Sequence, residues 1–327
     1  MIISRTPLRM SFVGGGSDLP SFYRRFGGAV LSTAINKYVY VNINRKFDGG
    51  VRVAYSKNEE VDGIDKIEHP LVRATLKEMR FSGGLEIATI ADVPSHGTGL
   101  GSSSSFTVGL INALSAYRGR YVMPEFLGRE SCRIEVEICG EPIGKQDQYA
   151  VAYGGFNLIE FRTDDTVRVT PVIISREARE MLFRRIIVFY TGLTRSASSI
   201  LKAQSSEVAS DKNKQDTLQK MVTLVYALLD ELQAGRLESF GEVLHENWLL
   251  KKTLTTSVSS ETIDGWYNLA RERGAVGGKI LGAGAGGFLM FYAPEHTHDA
   301  ITRALSNLRR VDFGFEQQGS QIIFYSP

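Results

Sequence analysis

Four short segments carry the residue types that could bind and move a phosphate. Gly14-Gly15-Gly16-Ser17-Asp18 follows an apolar run ending at Phe12-Val13. Gly99-Leu100-Gly101-Ser102-Ser103-Ser104-Ser105, preceded by Pro94 and Gly97, leads into an apolar stripe. Gly144-Lys145-Gln146-Asp147-Gln148 supplies an acid, and Gly282-Ala283-Gly284-Ala285-Gly286-Gly287 runs into a further apolar segment. Glycine lets a backbone come close to a ligand, and a helix start aims unpaired N–H groups and a partial positive charge at it, which suits a phosphate. Consecutive serine hydroxyls could reach a metal ion on that phosphate. An N-capped helix after a flexible loop is the plainer reading of the serine run, but one cap needs one hydroxyl and this run offers four. Asp147 could steer or accept a hydroxyl proton, and Glu135 or Glu137 could help hold Mg²⁺; the plainer reading of Asp147 is a helix N-cap ahead of Tyr149-Ala150-Val151.

Other phosphate and nucleotide signatures are missing. The chain contains no Gly-x4-Gly-Lys-Ser/Thr run, and Asp312-Phe313-Gly314 matches a protein-kinase tripeptide without a His-Arg-Asp loop to accompany it. Gly282 to Gly287 enters an apolar strand, whereas a dinucleotide fingerprint must open a helix. Cys132 and Cys139 fit neither a Cys-x-x-Cys pair nor a zinc site and read as buried free thiols. His296 and His298 lie in a polar stretch without acidic or thiol partners, so no metal is assigned there.

Elements must hold these segments together. The 327 residues favour two domains at roughly 150 residues each. With 43% hydrophobic and 23% charged residues, the composition is globular and not disordered. A balance of 38 Lys+Arg against 36 Asp+Glu, net +2, with no basic run beyond pairs such as Arg24-Arg25, argues against a nucleic-acid polymer as partner. No apolar run nears the roughly 18 residues of a membrane span, and Met1-Ile2-Ile3-Ser4-Arg5 begins no signal core; a cytoplasmic protein without a membrane partner is expected.

Alternation around Val39, Val41 and Ile43 predicts antiparallel strands over residues 28–55, with Gly49-Gly50 turning into Val51-Arg52-Val53. Phe106, Leu110, Ile111, Leu114 and Tyr117 predict a helix over about 104–117, and Pro124 starts another reaching about Ile138. Strands return at 156–161 and 167–169. Beyond about residue 180, a strand at 186–190 precedes helices at about 196–233, 238–251 and 260–273, then a strand at 287–292, a helix at 295–309 and short strands near Val311 and Ile322. The polar stretch 204–216 is expected to be exposed and mobile. This change of pattern sets domains of residues 1–178 and 179–327.

Taken in order, Pro7-Leu8-Arg9 through Asp18, then Gly99 to Ser105, Gly144-x-x-Asp147-Gln148 and Gly282 to Gly287, the chain resembles the GHMP kinases over almost its whole length. That superfamily contains the galactose, homoserine, mevalonate and phosphomevalonate kinases. Within it, Gly-Gly-Gly-Ser-Asp-Leu-Pro and Gly-Lys-Gln-Asp-Gln-Tyr are most similar to the bacterial D-glycero-D-manno-heptose 7-phosphate kinases, which phosphorylate an anomeric hydroxyl in GDP-heptose biosynthesis, and then to the kinase domain of L-fucose kinases. Galactokinases carry Glu-His where this chain has Gly15-Gly16, so galactose is disfavoured.

The resemblance implies an α+β fold: an N-terminal α/β domain with a left-handed βαβ unit, and a C-terminal ferredoxin-like domain. ATP and a sugar phosphate would meet between them, and homo-oligomerisation is left open. Pro94, Gly97, Gly99, Leu100, Gly101, Ser102, Ser103, Ser104 and Ser105 would bind ATP. Ser103 and Glu135 would hold Mg²⁺, with Glu137 the fallback. Asp147 would be the catalytic carboxylate with Arg9 as its cationic partner, and Gly15, Gly16, Ser17, Asp18, Gly284 and Gly286 would face the substrate. Gly282 to Gly287 would pack on the phosphate loop, and Lys145 or Arg195 could anchor a phosphate on the acceptor. A non-catalytic sugar and ATP sensor, and a kinase for an isoprenoid or amino acid, are the competing functions.

Overall fold

The apolar N-terminal run folds as β1 (Ile2–Val13), turns through α1 (Pro20–Phe26), and returns as β2 (Gly28–Arg45), antiparallel to it from Ile2 opposite Ile43 to Val13 opposite Leu31. The structure is a computed structural model that describes residues 1–94, 97–194 and 197–326. The first half continues through β3 (Val51–Ala54), β4 (Asn58–Val61), α2 (Pro70–Glu78), β5 (Leu85–Ala91), α3 (Ser102–Tyr117), α4 (Pro124–Cys132), α5 (Gln146–Tyr153), β6 (Phe156–Phe161) and β7 (Val167–Pro171). β2 is long enough to hold two neighbours along its other edge, β6 against Gly28 to Thr33 and β5 against Val39 to Arg45.

Val51-Arg52-Val53 does not fold back on β2 as expected from the turn. β5 takes that edge, burying Leu85 and Ile87, and β3 is displaced one strand outward. There it pairs parallel with β5 and antiparallel with β4, so β3, α2 and β5 make a βαβ unit. α3 lies across β1 and β2, buried from Ser104 to Ala116.

The second half contains α6 (Arg176–Arg184), β8 (Ile186–Tyr190), α7 (Ala197–Ser210), α8 (Lys212–Gln233), α9 (Ser239–Leu254), α10 (Glu261–Glu272), β9 (Gly277–Ile280), β10 (Phe288–Tyr292), α11 (His298–Ala304) and β11 (Arg309–Arg310). Its four strands form an antiparallel sheet in the order β11-β8-β10-β9, the ferredoxin-like arrangement. Ile187, Phe189, Leu289 and Phe291 pack from this sheet against Trp248, Ile263 and Ile301. The helix expected to reach residue 309 stops at Ala304, because Leu305 and Leu308 turn inward to the core.

Two further expectations change. Residues 204–216 are not a mobile segment: they join α7 to α8 through Asp211, whose side chain accepts the Asn213 N–H, and Gln204, Val208 and Gln215 are buried. Their polar composition marks the solvent faces of two helices. The chain end also crosses back, since β12 (Gln321–Tyr325) pairs antiparallel with β1 from Ile2 opposite Tyr325 to Arg5 opposite Gln321. Residues 179–327 are therefore not one unit; an otherwise open edge of β1 recruits the C-terminal strand. Among the described residues, no helix is long and apolar enough to cross a membrane.

Candidate active site

A cavity of about 530 Å³ opens between the two halves, and three of its walls are the glycine-rich segments. The serine wall starts α3. Its N-cap residue is Gly101 in the left-handed conformation, and among the described residues no side chain caps the helix. The serines are thus not caps. Ser105 Oγ donates to the Pro7 carbonyl at 2.8 Å, fixing α3 to β1, while Gly101, Ser102, Ser103 and Ser104 line the cavity. Gly97 and Gly99 line it too; Leu100 packs in the core, and Pro94 lies exposed away from the cavity.

The third glycine segment presses against this wall. A Cβ on Gly282 would come within 2.4 Å of Gly99 Cα, and one on Gly99 within 2.2 Å of the Leu281 carbonyl. Only bare backbone on both sides allows this approach, which brings Gly282, Gly284 and Gly286 to the cavity.

Asp147 sits in the first turn of α5 and is not its N-cap, which is Lys145. Its carboxylate takes both arms of the Arg9 guanidinium, from Nε at 2.8 Å and Nη2 at 2.7 Å. Arg9 Nη1 donates to the Gly99 carbonyl at 2.6 Å, and the Arg9 backbone N–H donates to Leu100. One residue on β1 therefore joins the acid to the phosphate loop. Arg9 is 2% exposed and Asp147 25%, so the acid faces the cavity and the cation stands behind it.

Glu135 lies behind the serines. α4 does not continue as a regular helix to Ile138 but loosens into a π-helical turn over Arg133–Ile138, a distortion frequent at functional sites. That turn puts Glu135 fully inside and leaves Glu137 exposed, which separates the two acids that spacing alone left open. Glu135 accepts from Ser104 Oγ at 2.8 Å, Thr107 Oγ1 at 2.7 Å and the Gln148 amide. Burial pushes its carboxyl up to about 7, against the lowering effect of those hydrogen bonds. The serine bonded to Glu135 is Ser104; Ser103 faces the cavity from an exposed position.

Asp18 is buried, accepting the Gly16 N–H at 3.0 Å and the Gln146 N–H at 3.3 Å. Burial raises its pKa, and the neighbouring Asp147 charge adds to the shift. Its carboxylate rests on Gly144, where a Cβ would fall 1.8 Å from Oδ2. Gly16 lines the cavity; Ser17 does not, because its hydroxyl donates to the Ala29 carbonyl and accepts the Ala29 N–H. Gly15 lies just outside the lining, its open side facing Ser11, Gln146 and Lys251.

Lys145 is not an acceptor anchor, since its ammonium donates to Asp165 and lies over the Tyr23 ring. Arg195 lies outside the described residues. Cys132 is buried, with its thiol pushed well above the ordinary range by burial, and Cys139 is half-buried. His298 is buried with Nε2 donating to the Ala293 carbonyl, and Asp312-Phe313-Gly314 follows β11 as a connection rather than a strand.

The motifs missed the cavity residues on the second-half helices, chiefly Ser198, Gln204 and Lys251. Lys251 had a signal: Leu244, Trp248, Lys251 and Leu254 share the buried stripe of α9, where a lysine is out of place.

Comparisons with known proteins show what the chain is similar to. Residues 69–155 match the family model "GHMP kinases N terminal domain" and residues 228–310 match "GHMP kinases C terminal". A D-glycero-alpha-D-manno-heptose 7-phosphate kinase of Campylobacter jejuni is 30% identical over 97% of either chain. An L-fucokinase/L-fucose-1-P guanylyltransferase of Bacteroides fragilis is 24% identical over 90% of this chain, which spans 35% of that protein. Among solved structures, a D-glycero-D-manno-heptose 1-phosphate kinase from Bacteroides thetaiotaomicron covers the whole chain at a TM-score of 0.80 and 26% identity.

Proposed function

The chain belongs to the GHMP kinases, and from that premise we propose that its cleft transfers the γ-phosphoryl group of ATP to the anomeric hydroxyl of D-glycero-D-manno-heptose 7-phosphate. The broader activity is that of a sugar kinase within the family, a phosphotransferase with an alcohol acceptor and ATP as donor. The product would be the 1,7-bisphosphate, on the route to a nucleotide-activated heptose. Because ATP and phosphosugars are cytoplasmic metabolites, the proposed reaction is a cytoplasmic one.

The observation that carries this reading is the Arg9–Asp147 fork standing in one cavity with the uncapped start of α3. Phosphoryl transfer asks for positioning and charge neutralisation more than for covalent help. The N-terminus of α3 and the backbone from Gly97 to Gly101 would hold the ATP phosphates. Asp147, fixed by two hydrogen bonds, would orient the attacking hydroxyl and take its proton, and Arg9 would keep that carboxylate in place. Asp18 and Gly16 would face the sugar.

Ser103, Ser104 and Glu135 offer hydroxyl and carboxylate oxygens, the hard donors Mg²⁺ requires. Among the described residues no cluster of three acidic, histidine or cysteine ligands exists, so ATP oxygens and water would complete the coordination. When bound with ATP, Mg²⁺ neutralises the phosphate charge.

A sugar 1-kinase of the L-fucose type is the second reading, supported by the fucokinase relative. A non-catalytic sensor would not need the intact acid–guanidinium pair. The test is ADP release on ATP with heptose 7-phosphate, heptose 1-phosphate, mannose, fucose and galactose. Heptose 7-phosphate should give the highest kcat/KM. Preference for heptose 1-phosphate or fucose would overturn the substrate and leave the kinase standing, while no turnover on any sugar would overturn both.

A further inference from the structure

Among the described residues, two cations line the cleft, and one of the two lacks an answering charge. The Arg9 guanidinium is taken up by Asp147 and Gly99. Lys251, on α9, is 4% exposed and makes a single hydrogen bond, from Nζ to the Gly282 carbonyl at 2.5 Å, with no ion pair among the described residues. An ammonium has three donors, so two remain. The ammonium stands over Gly15, where a Cβ would sit 4.0 Å from Nζ and 3.7 Å from Ser11 Oγ, a buried hydroxyl that itself has no partner among the described residues.

A buried ammonium without a counter-ion is unfavourable unless a ligand supplies one. Lys279 shows the alternative. It is equally buried, but it donates to the Ser11 and Phe12 carbonyls and does not line the cavity. We propose that the Lys251 ammonium binds a phosphate oxygen of the reacting complex, as a second phosphate-contacting group opposite the start of α3. This assignment rests on the kinase reading. The phosphate has two sources, the γ-phosphoryl group in transit or the phosphate already on the acceptor. The Lys251 ammonium is a bond away from the Gly282 backbone and feels the charges of Asp18, Asp147, Arg9 and Lys279. Burial pulls its pKa down to about 8, with Arg9 opposing and the two carboxylates supporting the charged form.

The test uses the full chain with ATP and Mg²⁺, comparing wild type, Lys251→Met and Lys251→Arg on heptose 7-phosphate and on unphosphorylated heptose. Lys251→Met should lower kcat/KM about tenfold or more on the phosphorylated acceptor. A fall in kcat on both acceptors assigns the contact to the transferring group, and a rise in KM confined to heptose 7-phosphate assigns it to the acceptor phosphate. The wild-type kcat/KM should decline above about pH 8, a limb missing in Lys251→Met and moved upward in Lys251→Arg. A Lys251→Met enzyme within twofold of wild type on both acceptors overturns the proposal. So does a Lys251→Arg enzyme whose alkaline limb coincides with that of wild type, a readout that remains if the methionine variant fails to fold. An inert wild type fails the kinase reading itself, whereas turnover insensitive to Lys251 fails only this assignment.

Discussion

The two acids on either side of the serine run are balanced in opposite ways. Asp147 is partly open to the cavity and answered by both arms of a guanidinium. Glu135 is wholly buried and answered by two hydroxyls and an amide, with no cation. A carboxylate gripped by both arms of a guanidinium is held in one orientation, which is what a group aimed at a hydroxyl proton needs. A buried carboxylate without one is costly to ionise until a cation arrives, which is what a metal ligand looks like before the metal. Under the proposed function, the difference separates the group that would meet the hydroxyl from the group that would meet the metal.

Neutralising each acid should break the comparison most strongly. Asp147→Asn keeps size and part of the hydrogen bonding but removes the charge; kcat should fall about 1,000-fold or more, while ATP binding measured by calorimetry persists. Turnover within tenfold of wild type would remove Asp147 from the reaction. Glu135→Gln should lower kcat about 10- to 100-fold and weaken the Mg²⁺ dependence of the rate.

Glu135 also makes a prediction of sign. Its folded pKa of about 7 lies above the ordinary 4.5, so between these values the folded state holds a proton that the unfolded chain has lost. Metal-free wild type should therefore lose stability, on the order of 3 kcal/mol, as pH rises through that window. Glu135→Gln has no such dependence, and the gap between the two melting temperatures should widen from pH 5 to pH 8. Parallel melting profiles would mean that ionising Glu135 carries no cost.

Smaller changes sharpen the contrast at the third acid. Gly144→Ala drives a methyl into Asp18 Oδ2; the acceptor KM should rise about tenfold with that for ATP unchanged, and the protein should lose about 1–3 kcal/mol. Gln204→Ala removes a buried amide whose nitrogen and oxygen both lack partners, so stability should hold while the acceptor KM rises about threefold. An unaltered KM in steady-state kinetics would place Gln204 outside acceptor binding.

The local parts of this molecule were legible in its sequence. Apolar spacing located α3, helical patterning located α9 and α10, alternation located β2, and apolar runs marked β1 and β6, because these signals depend on near neighbours. What failed depends on distant competition. β3 lost the edge of β2 to β5, and β12 crossed from the end of the chain to β1. The glycine and serine motifs located three cavity walls, since close backbone approach demands those residue types. Glu135 was separable from Glu137 only once the π-helical turn fixed their directions. Gln204 left no trace, because one polar residue on a polar helix is unremarkable until the fold sets it against Gly16.

Phosphorus NMR of the reaction mixture reads the position of the transferred phosphate itself. With ATP, Mg²⁺ and D-glycero-D-manno-heptose 7-phosphate, a new phosphate signal coupled to the anomeric proton should grow with ADP and be missing in the Asp147→Asn enzyme. Signal growth at any other hydroxyl, no transfer at all, or equal transfer by the Asp147→Asn enzyme would contradict the proposed reaction.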